Sequence, residues 1–160
     1  DMYPILLVGG CHNSEIDVTP LNIITGFLAE KFHYFSKDPE SVGSFWKYNW
    51  VLECWSWVFV KVARGGAIAS IGSVGYGGVS IGDYNHNGIP DCVEGSDGWF
   101  ETQFFRLYNE EHIDILGETY SQVVSDYVTT FPVETNRYDA KIVETHALFG
   151  DPSLKIGGYE

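Results

Sequence analysis

A chain of 160 residues that is 44% hydrophobic and 16% aromatic holds enough apolar mass for one buried core, which excludes a disordered polymer. Nine Lys+Arg against 22 Asp+Glu give a formal net charge of -13, the wrong sign for holding nucleic-acid phosphates and suited to cations, basic peptides or plain solubility. No apolar run approaches the roughly 18–20 residues that a membrane-spanning helix needs.

The chain opens on Asp1 with no basic-then-apolar leader, which reads as a processed or trimmed product. The first predicted element is the strand Ile5-Leu6-Leu7-Val8. Its unbroken apolar run suits a strand buried on both faces, as in parallel sheets. Gly9 and Gly10 then turn the backbone and deliver Cys11 just beyond the strand's carboxyl end, where open α/β sheets collect their chemistry. Thr19-Pro20 starts a helix, and Leu21, Ile24, Leu28, Phe32 and Phe35 supply its apolar face. Residues 36–44 read as a surface loop.

A second helix is expected over residues 45–64, marked by Trp50, Val51, Cys54, Trp55, Val58 and Val62 and stopped by Gly65-Gly66. Residues 67–71 (AIASI) form the next strand, so strand, helix and strand make a parallel βαβ unit. The glycine-rich residues 72–82 lack the spacing of a phosphate-binding loop and read as a loop bordering the same face as Cys11. Phe100, Phe104, Leu107 and Tyr108 mark a third helix. Tyr120, Val123, Val124, Tyr127 and Val128 mark a fourth, ended by Phe131-Pro132. Residues 146–156 look like a turn followed by a short terminal strand. The three cysteines leave two readings open: a Cys54–Cys92 disulfide with Cys11 free, or three thiols.

Two constellations carry chemistry. Asp83-Tyr-Asn85-His-Asn87-Gly88-Ile89-Pro-Asp91-Cys-Val-Glu94 satisfies D-x-[DN]-x-[DN]-G-x5-E at every fixed position. A hard cation wants six to eight oxygens. Asp83, Asn85 and Asn87 offer side-chain oxygens, Ile89 a carbonyl, Asp91 the ninth-position group and Glu94 a bidentate carboxylate. The pattern calls for Ca2+. No helix is expected to enter this loop, and its Asn-Gly-Ile-Pro-Asp core resembles the calcium loops of dockerins and thrombospondin-type repeats, which implies a structural ion that pins a long loop.

Cys11 is the second constellation, as a candidate nucleophile. A thiol nucleophile needs a base, usually histidine, and oxyanion donors. His12 is adjacent and should point to the opposite side. His33 lies late in a helix and His86 inside the acidic loop, and nothing in the spacing brings His112 or His146 to Cys11.

Three phrases in order resemble the gingipain-like cysteine peptidases: Cys11-His12-Asn13 after an apolar strand, Gly65-Gly66-Ala67-Ile68-Ala69 with Ile71-Gly72-Ser73 just beyond it, and residues 148–154 (LFGDPSL). The resemblance implies a caspase-type fold, an α/β architecture with a mostly parallel sheet and flanking helices, here present as its C-terminal half. It makes residues 1–160 the C-terminal portion of a peptidase domain with an acidic insertion at 83–94. By the same resemblance Cys11 is the nucleophile, its N–H helps hold the oxyanion, and Ser70 to Ser73 line the pocket for the residue before the scissile bond. The family's base histidine would precede Asp1, and Ser14 stands where relatives often carry glycine.

The expected function is a secreted, calcium-binding cysteine endopeptidase. Its partner would be an N-terminal fragment of the same precursor or a second copy of the chain, because an uncovered buried strand edge is an aggregation hazard. The alternative is a non-catalytic, calcium-stabilised extracellular structural or self-assembling module that keeps the peptidase architecture.

Overall fold

The structure, a computed structural model, describes residues 3–16, 21, 24 and 53–158. The predicted helix from Thr19-Pro20 falls there only at Leu21 and Ile24, which are helical and exposed. The loop at 36–44 and residues 45–52 of the second helix lie outside the described residues. The chain divides into two compact units, Glu15–Cys54 and the remainder, Asp1–Ser14 with Trp55–Glu160.

The larger unit, Asp1–Ser14 with Trp55–Glu160, is α/β, with a three-stranded mixed sheet in the order β1 (Ile5–Val8), β2 (Ala69–Ser73), β3 (His146–Gly150). β1 runs parallel to β2 with Ile5 opposite Ala69 and Val8 opposite Gly72. β3 runs antiparallel to β2 with Ser73 opposite His146 and Ala69 opposite Gly150. The carboxyl ends of β1 and β2 and the start of β3 therefore share one edge of the sheet. β2, paired on both sides, is buried throughout. β1 is only partly buried along its length, not enclosed as its apolar run suggests, because β2 is its single partner among the described residues.

Five helices accompany the sheet among the described residues: α1 (Trp55–Lys61), α2 (Asp91–Glu94), α3 (Ser96–Asn109), α4 (Leu116–Thr130) and α5 (Arg137–Thr145). Within the described residues the second predicted helix is shorter than the periodicity suggests, since Glu53 and Cys54 are not helical. α3 buries Asp97, Phe100, Gln103, Phe104 and Leu107, one face at three- and four-residue spacing. α4 does the same with Leu116, Thr119, Val123 and Tyr127. These faces meet Ala69, Ile71 and Ile142 in a continuous core. Gln103 locks the helix pair by donating to Asp126 Oδ2 at 2.6 Å while accepting from Arg106 Nε at 2.8 Å.

The tail departs from the sequence reading. Strand precedes turn: residues 146–150 pair with β2, and only then does Asp151-Pro152 bend the chain. Proline offers no ladder donor, and the Asp151 carboxylate takes Ser153 N–H and Oγ at 2.9 and 2.7 Å. These bonds hold its carboxyl below the usual range. α5 has no counterpart among the elements expected from the sequence. Asn136 caps it by accepting from Tyr138 N at 3.0 Å. All three cysteines are free thiols, with Cys11 exposed and Cys54 buried. Among the described residues no helix is long and apolar enough to cross a membrane.

Candidate active site

The turn after β1 is built by Asn13. Its Nδ2 donates to Val8 O and to Gly10 O, both at 2.9 Å, folding the chain back over the strand end. Gly10 takes φ 112° and His12 φ 56°, so the turn uses two left-handed residues flanking Cys11. Below it, Ser14 is fully buried, with Oγ 2.7 Å from Ser56 Oγ on α1. Ser56 N–H donates to Asn13 O at 3.1 Å. Cys11 itself stands exposed on the rim.

The glycine-rich loop does border this turn, as expected. Ser14 N–H donates to Ser73 O at 3.0 Å and His12 N–H to Gly75 O at 2.6 Å. The Cys11 thiol points to Gly77 O, with Sγ 3.8 Å away. The His12 ring lies edge-on to Tyr76, with centroids 4.6 Å apart.

One histidine and one carboxylate face each other beneath this loop. His146 is buried at the sheet edge that also carries the Cys11 turn, which the spacing of the sequence did not reveal. Its Nδ1 is 2.7 Å from Ile142 O, its ring stacks on Phe100 at 4.2 Å, and its Nε2 faces Asp97 Oδ1 at 3.9 Å. Asp97 and Glu101 lie one turn apart on α3. A Cβ placed on Gly9 would come 2.8 Å from Glu101 Oε1, so this carboxyl abuts the start of the turn. Burial, and then the charge of Asp97, push the Glu101 carboxyl up from its ordinary value. No described histidine ring hydrogen-bonds the Cys11 thiol; its contact is Gly77 O.

Compared with known proteins, the chain matches the profile of Peptidase family C25 over residues 1–157. The chain belongs to Peptidase family C25, the gingipain family of cysteine peptidases. No curated protein and no solved structure matches it.

The remaining sequence-predicted residues of this C25 chain fall in two places. Ser70 and Ser73 are buried on β2. The Ser73 hydroxyl bonds Gly75 O at 3.2 Å and Thr145 Oγ1 at 3.1 Å, and that of Ser70 finds no partner. The acidic loop gathers its own side chains. Asp83 Oδ2 accepts from Gly88 N–H at 3.0 Å, Asn85 Oδ1 from Asn87 N–H at 3.1 Å, and Asn87 Oδ1 from Ile89 N–H at 2.7 Å. Asn85 and Asn87 both reach Glu94, at 3.1 and 2.7 Å. Asp91 accepts from Tyr84 N–H at 3.0 Å. Among the described residues no three His, Cys, Asp or Glu side chains converge at metal-ligand spacing.

Asp97 and Glu101 are the site residues that sequence reasoning missed. The signal was available: Asp97 falls on the Phe100–Phe104–Leu107 stripe, and a carboxylate on an apolar stripe requires a buried partner.

Proposed function

We propose that the chain is the nucleophile-bearing portion of a gingipain-type cysteine endopeptidase. The observation that carries this reading is an exposed Cys11 on a tightly bonded turn at the carboxyl edge of the sheet, in a chain of Peptidase family C25. The Cys11 thiolate attacks the scissile carbonyl, forming the C–S bond as the carbonyl oxygen takes the negative charge. An imidazole supplied by a partner segment first takes the thiol proton and then gives it to the leaving amine. Water hydrolyses the resulting thioester. The Cys11 N–H, on the turn just beyond β1, would help hold the oxyanion. Ser70 and Ser73 belong to the strand that continues into the loop beside Cys11, and a substrate-lining role for them runs through that strand.

The partner segment is an N-terminal fragment of the same precursor, completing a caspase-type sheet. Its support is the side of β1 that pairs with no described strand, where Tyr3, Ile5, Leu7, Ile68, Phe104 and Phe105 line an apolar groove of about 470 Å³. A second copy of the chain is the other occupant such a groove would take. Ca2+ fits the loop at 83–94, because its alternate oxygens, central Gly88 and terminal Glu94 follow the donor order that a hard cation takes. Asp83, Asn85, Asn87, the Ile89 carbonyl, Asp91 and Glu94 would hold it, and the ion would pin the loop. Family membership supports a secreted protein, and a calcium-stabilised loop would suit one.

The test mixes the full chain with its N-terminal fragment and follows peptide hydrolysis. Iodoacetamide-sensitive activity that disappears in Cys11→Ala is expected. Activity unchanged in that variant overturns the nucleophile. The non-catalytic structural module remains the second reading, favoured by the lack of any described histidine on the thiol. An inactive complex of correct stoichiometry would establish it.

A further inference from the structure

We propose that Asp97 is a positioning residue for Cys11, acting through the Gly77–Gly78 peptide, and that His146 holds it there as a buried imidazolium. The inference rests on the reading of Cys11 as the nucleophile. Asp97 touches neither the thiol nor a substrate position, so its role is indirect.

The clamp is reciprocal. Asp97 Oδ2 accepts from Gly78 N–H at 3.1 Å, and Gly78 O accepts from Asp97 N–H at 3.2 Å. One residue earlier, Gly77 O is the group that the Cys11 thiol meets. A Cβ on Gly77 would fall 2.3 Å from Asp97 Oδ2 and 3.0 Å from the Gly10 carbonyl carbon, so only glycine fits between the carboxylate and the Cys11 turn. Loop, carboxylate and turn are packed as one unit.

The other carboxylate oxygen defines the role of His146. Asp97 Oδ1 is buried with no hydrogen-bond partner and faces His146 Nε2. Ile142 O can only accept, so His146 Nδ1 carries a proton. In a neutral ring Nε2 would then present a lone pair to a carboxylate oxygen inside the core, which is repulsive and leaves Oδ1 uncompensated. Protonating Nε2 sets a positive charge 3.9 Å from Oδ1, within ion-pair range though longer than a hydrogen bond, and so compensates the buried carboxylate. The other ionisable groups around this pair are few. Glu101 lies on α3, Tyr120 on α4 donates to His146 O, and Tyr138 on α5 bonds Ser96 beside Asp97. The Cys11 thiol stands across the loop. Among the described residues none of them hydrogen-bonds Oδ1.

Three readouts on the full chain, none requiring turnover, test this separately from peptidase activity. Nitrogen-15 spectra of the histidine rings at pH 7 should show both His146 nitrogens protonated in the wild type. In Asp97→Asn, whose amide can donate to Nε2 and still accept from Gly78, Nε2 should be unprotonated. A neutral wild-type His146 overturns the imidazolium. The Gly78 amide should exchange at least tenfold faster in Asp97→Ala than in wild type or Asp97→Asn; equal exchange overturns the clamp. Alkylation of the Cys11 peptide by iodoacetamide, followed by mass against pH, should shift its midpoint in Asp97→Ala and be restored by Asp97→Asn. An unshifted midpoint in Asp97→Ala overturns the positioning role. Should Asp97→Ala fail to fold, the alkylation comparison passes to His146→Gln, whose midpoint must also move.

Discussion

Ser14 and Ser56 share one proton-mediated contact, 2.7 Å between hydroxyl oxygens, at the buried base of the Cys11 turn. It joins the turn to α1 out of reach of water, and Ser14 Oγ also donates to Asn13 Oδ1 at 3.1 Å. Ser14→Ala takes this partner from the buried Ser56 hydroxyl, which costs about 1–3 kcal/mol, whereas Ser56→Ala leaves Ser14 its bond to Asn13 Oδ1 and costs about 1 kcal/mol. The two variants should destabilise the protein by those amounts, and the double variant by clearly less than their sum. Additive losses in urea unfolding would show that the hydroxyls do not couple.

The acidic loop predicts a ligand-dependent stability. If Ca2+ occupies residues 83–94, ion at a hundred times its dissociation constant adds about 2.7 kcal/mol. That corresponds to a rise in melting temperature on the order of 5–10 °C for a chain of this size. Chelator should reverse the rise, and Asp83→Ala or Glu94→Gln should abolish it. A calcium-insensitive melting curve would remove the ion from the account.

Glu101 predicts a pH effect of definite sign. Burial and the nearby Asp97 raise its folded carboxyl above the ordinary 4.5, so the folded state binds more protons than the unfolded state across that interval. Stability therefore falls as pH rises from about 4.5 through the folded value. Glu101→Gln should be more stable than the wild type at pH 7, with the difference vanishing below pH 4.5. Denaturant midpoints at pH 4 and pH 7 provide the check.

Tyr127 acts at the alkaline end. It is fully buried and donates to Asp139 Oδ1 at 3.1 Å. Burial, reinforced by the Asp139 charge, raises its phenol above the ordinary 10.0. The folded state thus resists phenolate formation, and stability is lost as pH climbs past 10. Tyr127→Phe should cost about 1 kcal/mol at pH 7 through the lost hydrogen bond. It should also unfold less steeply between pH 10 and 11, measured by circular dichroism.

Much of this was readable in the residues, and the failures have physical causes. α3 and α4 announce themselves because Phe100–Leu107 and Leu116–Tyr127 repeat at helical spacing on one buried face. α5 hides because its buried positions are Asp139 and Ile142, one of them charged, so no apolar stripe appears. Asn136 and Asp139 at its start were the available signal. The apolar run of β1 encodes what the strand can bury, and pairing decides what it does bury. The Cys11 turn was legible from its two glycines. The Asp97–His146 pair was not, because it joins a helix start to a strand start 49 residues apart, and no local pattern encodes that meeting.

The antiparallel return of β3 has a practical side. Gly150 lies opposite Ala69, at the end of the sheet away from Ser73 and His146. The residues between Leu154 and Gly158 line the groove beside Ile5 rather than the rim beside Cys11. A fluorophore or surface tether attached at Gly158 would therefore sit across the sheet from the thiol. Such a handle would report on whatever fills the groove while leaving Cys11 chemically accessible.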